Sequence, residues 1–283
     1  MTAALTPLSV LIAIFGAVLG SAIGSFLNVV VHRVPAGRSV ITPASACPRC
    51  GRSIRGFDNV PVLSWFVLRG RCRDCDAPIP IRYPVVEAVT AVLFVLVAFR
   101  FLPTTAGAPS TLTGQIGQIG LLVVLLYLMA CSVALALIDL ETHTLPNRIV
   151  LPMYPIVALL LVGVTIATGD WGALVRGAVG AVLLGGGYLA LALAVPRGMG
   201  LGDVKLAGVL GLVLAYLGWG PLAVGAFAAF LLGGSFGIGL LLLRRASRSS
   251  GIPFGPWMLA GAWTGVFSGA TIWDAYLRLI GLA

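Results

Sequence analysis

Nine carboxylates stand in a chain of 283 residues. Most have a plain reason to be where they are. Asp58, Asp74 and Asp76 lie among arginines, and Asp170 and Asp274 lie on or near the expected outer side. Glu87, Asp139, Glu141 and Asp203 sit in or beside long apolar runs, in "RYPVVEAVTA", "ALIDLETHTLPN" and "MGLGDVKLAG". Two carboxylates that meet at a low-dielectric edge can share one proton, so that one serves as acid and the other as base. Such a pair can activate a water and protonate a leaving amine. Asp139 and Asp203 are the candidates for this unit. Gly200 and Gly202 lack side chains and let backbone or substrate approach Asp203. Glu141 adds negative charge beside Asp139. The plainer alternative is that each aspartate caps a helix or pairs with Lys205 or Arg148, since a carboxylate is stabilised at a helix N-terminus.

A second constellation is the pair "CPRC" (Cys47, Cys50) and "CRDC" (Cys72, Cys75), two C-x-x-C motifs separated by 21 residues. Four thiolates at this spacing form a Cys₄ zinc site, a closed coordination that serves structure rather than catalysis. Arginines 49, 52, 71 and 73 favour thiolate over thiol. Two disulfides or four unrelated thiols are the alternative, and a reducing compartment disfavours the disulfides. Cys131 stands alone in an apolar run and reads as a small core filler. His32 and His143 are lone histidines in polar turns and read as surface residues.

The elements that must position these groups follow from composition. The chain is 59% hydrophobic and 10% charged, against roughly 25% charged in an ordinary soluble domain. Apolar runs of membrane-spanning length recur. Their soft limits are 8–31, 84–102, 118–138, 149–168, 171–195, 205–217, 221–243 and 257–280. The expected fold class is an all-α polytopic membrane protein of about eight transmembrane helices with a small cytoplasmic zinc-binding loop domain. Residues 1–31 form a first span, retained rather than removed as a signal peptide. Residues 32–83 form the loop, and 84–283 carry about seven spans. The sixth run is short, with a bent or re-entrant segment as its alternative.

The net charge of +9 is not a nucleic-acid footprint. With the N-terminus outside, the inner segments 32–83, 139–148, 196–205 and 244–256 hold fifteen of the eighteen Lys and Arg, as the positive-inside rule requires. The lipid bilayer is therefore the expected partner, with both aspartates at the cytoplasmic face. The segment 103–117 reads as a plain connector. Ser21, Ser25 and Asn28 form a stripe on the first span that lines a groove or packs a neighbouring helix through Gly20 and Gly24.

Together, "GSFLNVVVHRVP" (24–35), the two C-x-x-C pairs, "RYPVVEAVTA" (82–91), "DLETHTLPN" (139–147) and "GMGLGDVKLAG" (198–208) resemble the type IV prepilin peptidases in order and spacing, over nearly the whole chain. The resemblance implies a bifunctional membrane aspartic protease of the inner membrane. Such an enzyme removes the basic leader of type IV prepilins and type II secretion pseudopilins after a glycine. It then methylates the new N-terminal amine from S-adenosylmethionine. The family's two catalytic aspartates fall on Asp139 and Asp203, the latter within G-x-G-D. No adenosylmethionine loop on a βαβ unit is legible, so the methyl transfer is implied by the resemblance alone. A peptidase without methyl transfer is a narrower alternative. A proton-coupled transporter would place charges mid-span in matched broken helices, and here they cluster at one edge. A non-enzymatic assembly platform would use the zinc loop for docking.

Overall fold

The computed structural model describes residues 7–102, 111–195, 199–243 and 253–282. The upstream half of the expected connector 103–117, and the basic residues at 197 and 244–248, lie outside them. The described chain is helical, with two isolated bridges and no strand. The helices are α1 (Pro7–Arg33), a short α2 (Leu63–Val67), α3 (Arg82–Phe101), α4 (Leu112–Thr142), α5 (Asn147–Thr168), α6 (Trp171–Ala194), α7 (Leu201–Leu217), α8 (Trp219–Leu242) and α9 (Gly255–Leu279). The eight long helices follow the eight expected runs. Six of them (α1, α3, α4, α5, α6 and α8) are long and apolar enough to cross a membrane.

Two limits differ from the sequence reading in ways that matter. Helix α4 continues through Asp139 and Glu141, and α7 begins at Leu201, so Asp203 lies inside its first turn rather than ahead of it. A polar residue one turn beyond an apolar run still satisfies helical hydrogen bonds, which hydropathy alone does not register.

The chain divides into two compact units, residues 1–134 and 135–283, with the division inside α4. In the first, α1 packs against α3. Gly16, Gly20 and Gly24 recur at every fourth position, and this small-residue stripe lets the backbones approach closely. A Cβ at Gly20 would stand 2.7 Å from Ala91 Cα, and one at Gly24 2.7 Å from Glu87 Cα. Gly20 and Gly24 thus pack the first span against α3, as the packing reading of its stripe expects. Asn28 Nδ2 donates to the Tyr83 carbonyl at 3.2 Å.

In the second unit α6 packs on α7 and α8 on α9, and α7 also meets α5, α8 and α9. Leu206 through Tyr216 are buried without interruption. A helix apolar all round belongs in a core, which is how a 17-residue helix of about 25 Å fits among longer ones. Gly180 and Gly211 face each other across α6 and α7, and Gly261 meets Ala229 and Gly225 across α8 and α9. The far end of α7 is closed by Arg176, whose Nε and Nη2 donate to the Ala215 and Tyr216 carbonyls at 2.6 and 2.8 Å. A cation there answers the unsatisfied carbonyls and the negative helix end.

Candidate functional site

The four cysteines are brought together by two copies of one turn. Ala46 bridges Ser53 and Arg71 bridges Pro78. Cys47 N–H donates to the Arg52 carbonyl at 2.9 Å, and Cys72 N–H to that of Ala77 at 2.8 Å. Gly51 and Asp76, each the fourth residue after the leading cysteine, take positive φ values of 71° and 54° and donate back to the Cys47 and Cys72 carbonyls. The four sulfurs all lie within 4.8 Å of one another, and Cys47 and Cys75 Sγ are 3.8 Å apart. Four thiolates at about 2.3 Å around one tetrahedral ion have sulfurs about 3.8 Å apart. The cluster is therefore of a size to hold a metal ion. The backbone N–H groups of Cys50 and Arg49 pull the Cys47 thiol down to about 6. At Cys75 the Ala77 N–H acts downward too, but desolvation and the neighbouring cluster sulfurs outweigh it and push the thiol up to about 12.

Around the cluster Asp74 accepts from Arg52 and Arg55 at 2.9 and 3.0 Å, and Asp58 takes Arg73 in a two-pronged pair as close as 2.6 Å. Trp65 packs over Gly70 and its indole N–H donates to the Ile79 carbonyl at 3.0 Å. Little else forms a core in this loop.

Asp139, Glu141 and Asp203 lie in the second unit. Asp139 is 4% exposed near the C-terminal end of α4. An anion is disfavoured at that end of its own helix. The structure answers with a second helix: the Gly255 N–H, the first of α9, donates to Asp139 Oδ2 at 3.0 Å. Gly255 is needed for this approach, because a Cβ would stand 2.7 Å from Asp139 Oδ2 and 3.2 Å from Leu145 Cδ2. Asp203 sits in the first turn of α7, and its Oδ2 accepts from the Gly200 N–H at 3.1 Å, one half of a capping box. Leu145 lies against Gly202, the neighbour of Asp203, and against Gly255, whose N–H holds Asp139, so one side chain lines the surroundings of both carboxylates. Each carboxylate is held at a helix N-terminus, where the dipole favours an anion.

The neighbours differ from the sequence reading at several points. Lys205 Nζ donates to Asn147 Oδ1 at 3.0 Å rather than to either aspartate, and Gly202 lies against Leu145, to which a Cβ would come within 3.0 Å. Glu141 is exposed at the end of α4. Glu87 belongs to the first unit and accepts from the Val62 N–H at 2.6 Å. His32 and His143 are exposed and Cys131 is buried, as their surroundings suggested. Sequence reasoning missed Gly255 and Tyr188. The dipeptide Gly255–Pro256 is a helix-start signal, but nothing local says that the start points at Asp139. Tyr188, 3% exposed, forms an aromatic wall with Phe230 and Phe254, with ring centres 5.4 to 6.2 Å apart.

These features define a multi-pass helical membrane protein with a metal-sized thiol cluster and a paired-carboxylate edge. Residues 18–101 match the bacterial peptidase A24 N-terminal domain, and residues 126–238 match the type IV leader peptidase family. The chain is 36% identical to a prepilin leader peptidase/N-methyltransferase of Aeromonas salmonicida, with 91% of each chain covered. It is 34% identical to one of Pseudomonas aeruginosa, covering 93% of this chain and 92% of that one. No solved structure matches it. The chain belongs to the type IV leader peptidase family.

Proposed function

We propose that this protein removes the leader peptides of type IV prepilins and type II secretion pseudopilins and N-methylates the new N-terminus. Asp139 and Asp203 serve as its peptidase dyad. One observation supports the assignment of residues: two carboxylates 64 positions apart in sequence each accept a backbone N–H at a helix N-terminus, with Leu145 packed beside both termini. One carboxylate takes a proton from water as the oxygen attacks the scissile carbonyl. The other donates a hydrogen bond to the carbonyl oxygen, and a proton passes to the leaving amine as the C–N bond breaks. A coupled pair titrates as a pair, so the roles are assigned to the unit rather than to either residue.

The N-terminus is placed outside and the dyad at the cytoplasmic face, on the charge bias of the loops. Helices α5 and α6 form one excursion between the end of α4 and the start of α7, which supports a common side for the two aspartates. The apolar part of a precursor enters from the bilayer toward the wall of Tyr188, Phe230 and Phe254. Its basic leader meets Glu141 and the dyad, where Gly200 leaves room beside Asp203. Cys47, Cys50, Cys72 and Cys75 hold one zinc ion, which supplies folding energy to a loop with little core. S-adenosylmethionine is the methyl donor.

The test is incubation of the full chain in detergent with a prepilin, with and without S-adenosylmethionine, followed by intact-mass analysis. Loss of the leader in both arms and an added methyl group only with the donor is the expected result. An uncleaved precursor would refute the peptidase reading, and cleavage without a donor-dependent methyl group the transferase half.

A further inference from the structure

The first unit carries an apolar ridge that its own packing leaves uncovered. Leu63, Phe66 and Val67 stand at i, i+3 and i+4 of α2, on one helix face, and are 63, 64 and 74% exposed. The turn ahead of them is fixed to the same piece: Ser64 Oγ accepts from the Val60 N–H at 2.9 Å and donates to the Phe57 carbonyl at 3.2 Å. Phe57 and Val60 are exposed as well. Val67 also shares an open cleft with Arg69, Arg71 and Arg73, which outnumber its one carboxylate, Asp76. Arg73 is committed to Asp58, whereas Arg69 and Arg71 are exposed at the rim.

What fixes the height of this ridge is Glu87. Its carboxylate holds the N–H of Val62, the residue just before α2, at 2.6 Å. Val62 takes φ 63° and ψ −54°, and the Leu63 N–H donates across it to Pro61 at 2.6 Å. A β-branched residue at positive φ is costly and persists only where its surroundings impose it. Glu87 lies five residues past the start of α3, about 7.5 Å along the axis. Helix α3 has 20 residues, about the length that spans a hydrocarbon core of ~30 Å. The start of α2 is therefore pinned within about 7.5 Å of the level where the core gives way to headgroups. Interfacial helices bury their apolar faces about 5–10 Å into that layer.

We propose that α2 and the turn before it dock into the headgroup layer of a bilayer containing anionic phospholipid, with Leu63, Phe66 and Val67 inserted and Arg69 and Arg71 binding lipid phosphates. The charge sign selects the lipid: two uncommitted guanidiniums beside an apolar ridge fit an anionic headgroup over its glycerol and acyl chains. The docking fixes the orientation of the cysteine loop against the membrane. It is independent of the dyad assignment.

The test uses the full chain with Phe66→benzoylphenylalanine in nanodiscs of phosphatidylcholine alone or mixed with phosphatidylglycerol. After irradiation, intact mass should show one phospholipid added, with phosphatidylglycerol favoured. Arg69→Gln and Arg71→Gln should each lower the phosphatidylglycerol yield about fivefold, the factor expected for one basic residue at an anionic surface. Both arginines are exposed, so the fold is not at risk. Hydrogen exchange over residues 57–71 should slow in the mixed nanodiscs relative to detergent. Crosslinks to protein alone would overturn the proposal. So would lipid yields that ignore both the headgroup and the arginines.

Discussion

The thiol cluster and the carboxylate pair are assembled on opposite principles. The cluster is local: two copies of one turn, 25 positions apart, each set by its own backbone bonds and one positive-φ residue. The pair is remote: Asp139 ends one helix, Asp203 opens another, and the N–H that steadies Asp139 comes from residue 255 at the start of a third. A local site is as strong as its ligands and turns. A remote one is as strong as the helix packing behind it, here built on glycines that bring α6 to α7 and α8 to α9 within backbone contact. Damage to one should therefore spare the other.

The largest expected effect tests that independence from the side of the pair. Asp139→Asn and Asp203→Asn should each lower the cleavage rate by about 10⁴-fold, and the double variant should be little worse, because residues that act as one unit are not additive. The cluster should keep its metal, and methylation of a precleaved pilin should continue. Quantitative mass spectrometry of the product, with metal analysis of each variant, reads all three. A single variant that cleaves at near the unaltered rate would remove the dyad and leave Asp203 as a helix cap.

From the side of the cluster, Cys72→Ser should reduce zinc from about one per chain to a fraction of that. It should expose residues 47–78 to limited proteolysis and weaken methylation or precursor handling. Peptide-bond cleavage should persist, since the aspartates are held by other elements. Chelation of the unaltered protein should reproduce the pattern, and added zinc should reverse it. A cysteine variant as dead in cleavage as Asp203→Asn would break the division between the two regions.

How much was legible beforehand follows the same division. The spacing of Cys47, Cys50, Cys72 and Cys75 announced a cluster because each half is four residues long and needs no distant partner. The spans were legible because a bilayer demands long apolar runs. Asp139 and Asp203 were legible as carboxylates at the edge of apolar runs, yet their partners were not. Lys205 looked like a counter-ion and turns instead to Asn147. Gly202 looked like room for backbone or substrate beside Asp203, and Leu145 lies against it. Gly255 and Glu87 act through backbone N–H groups at sequence separations of 116 and 25. Every residue but proline offers such a group, so no side-chain pattern can reveal which one is used.

Gly255→Ala sharpens the remote half. The new Cβ would stand 2.7 Å from Asp139 Oδ2, so the carboxylate or the start of α9 must shift by part of an ångström. Misplacement of about 1 Å in a catalytic group costs on the order of 10²-fold, so cleavage should fall by about 10- to 100-fold. Precursor binding and zinc content should hold. The expected signature is a lower turnover at an unchanged KM. An unaltered turnover would mean that the α9 N-terminus plays no part in setting the dyad.

The smallest effect sharpens the local half. Asp58 joins the stretch after the first knuckle to Arg73 inside the second. Arg73 is exposed and Asp58 half-buried, so water and salt still reach the guanidinium and screen the pair, and such ion pairs contribute little. Asp58→Asn should therefore raise the rate of proteolysis in the loop only slightly, with zinc retained, and the difference from the unaltered protein should shrink in concentrated salt. The pH dependence has a definite sign. The Arg73 hydrogen bonds hold the Asp58 carboxyl below the usual carboxylate range, so the folded loop binds fewer protons there than the unfolded one. The contribution is present in full above the unfolded value of about 3.9 and is lost only as pH falls through the lower folded value. The difference between Asp58→Asn and the unaltered protein should hold steady from pH 7 to pH 5. If Asp58→Asn instead released zinc as readily as Cys72→Ser, the loop would depend on its ion pairs as much as on its thiols, and the cluster would not be the self-sufficient unit that its two turns describe.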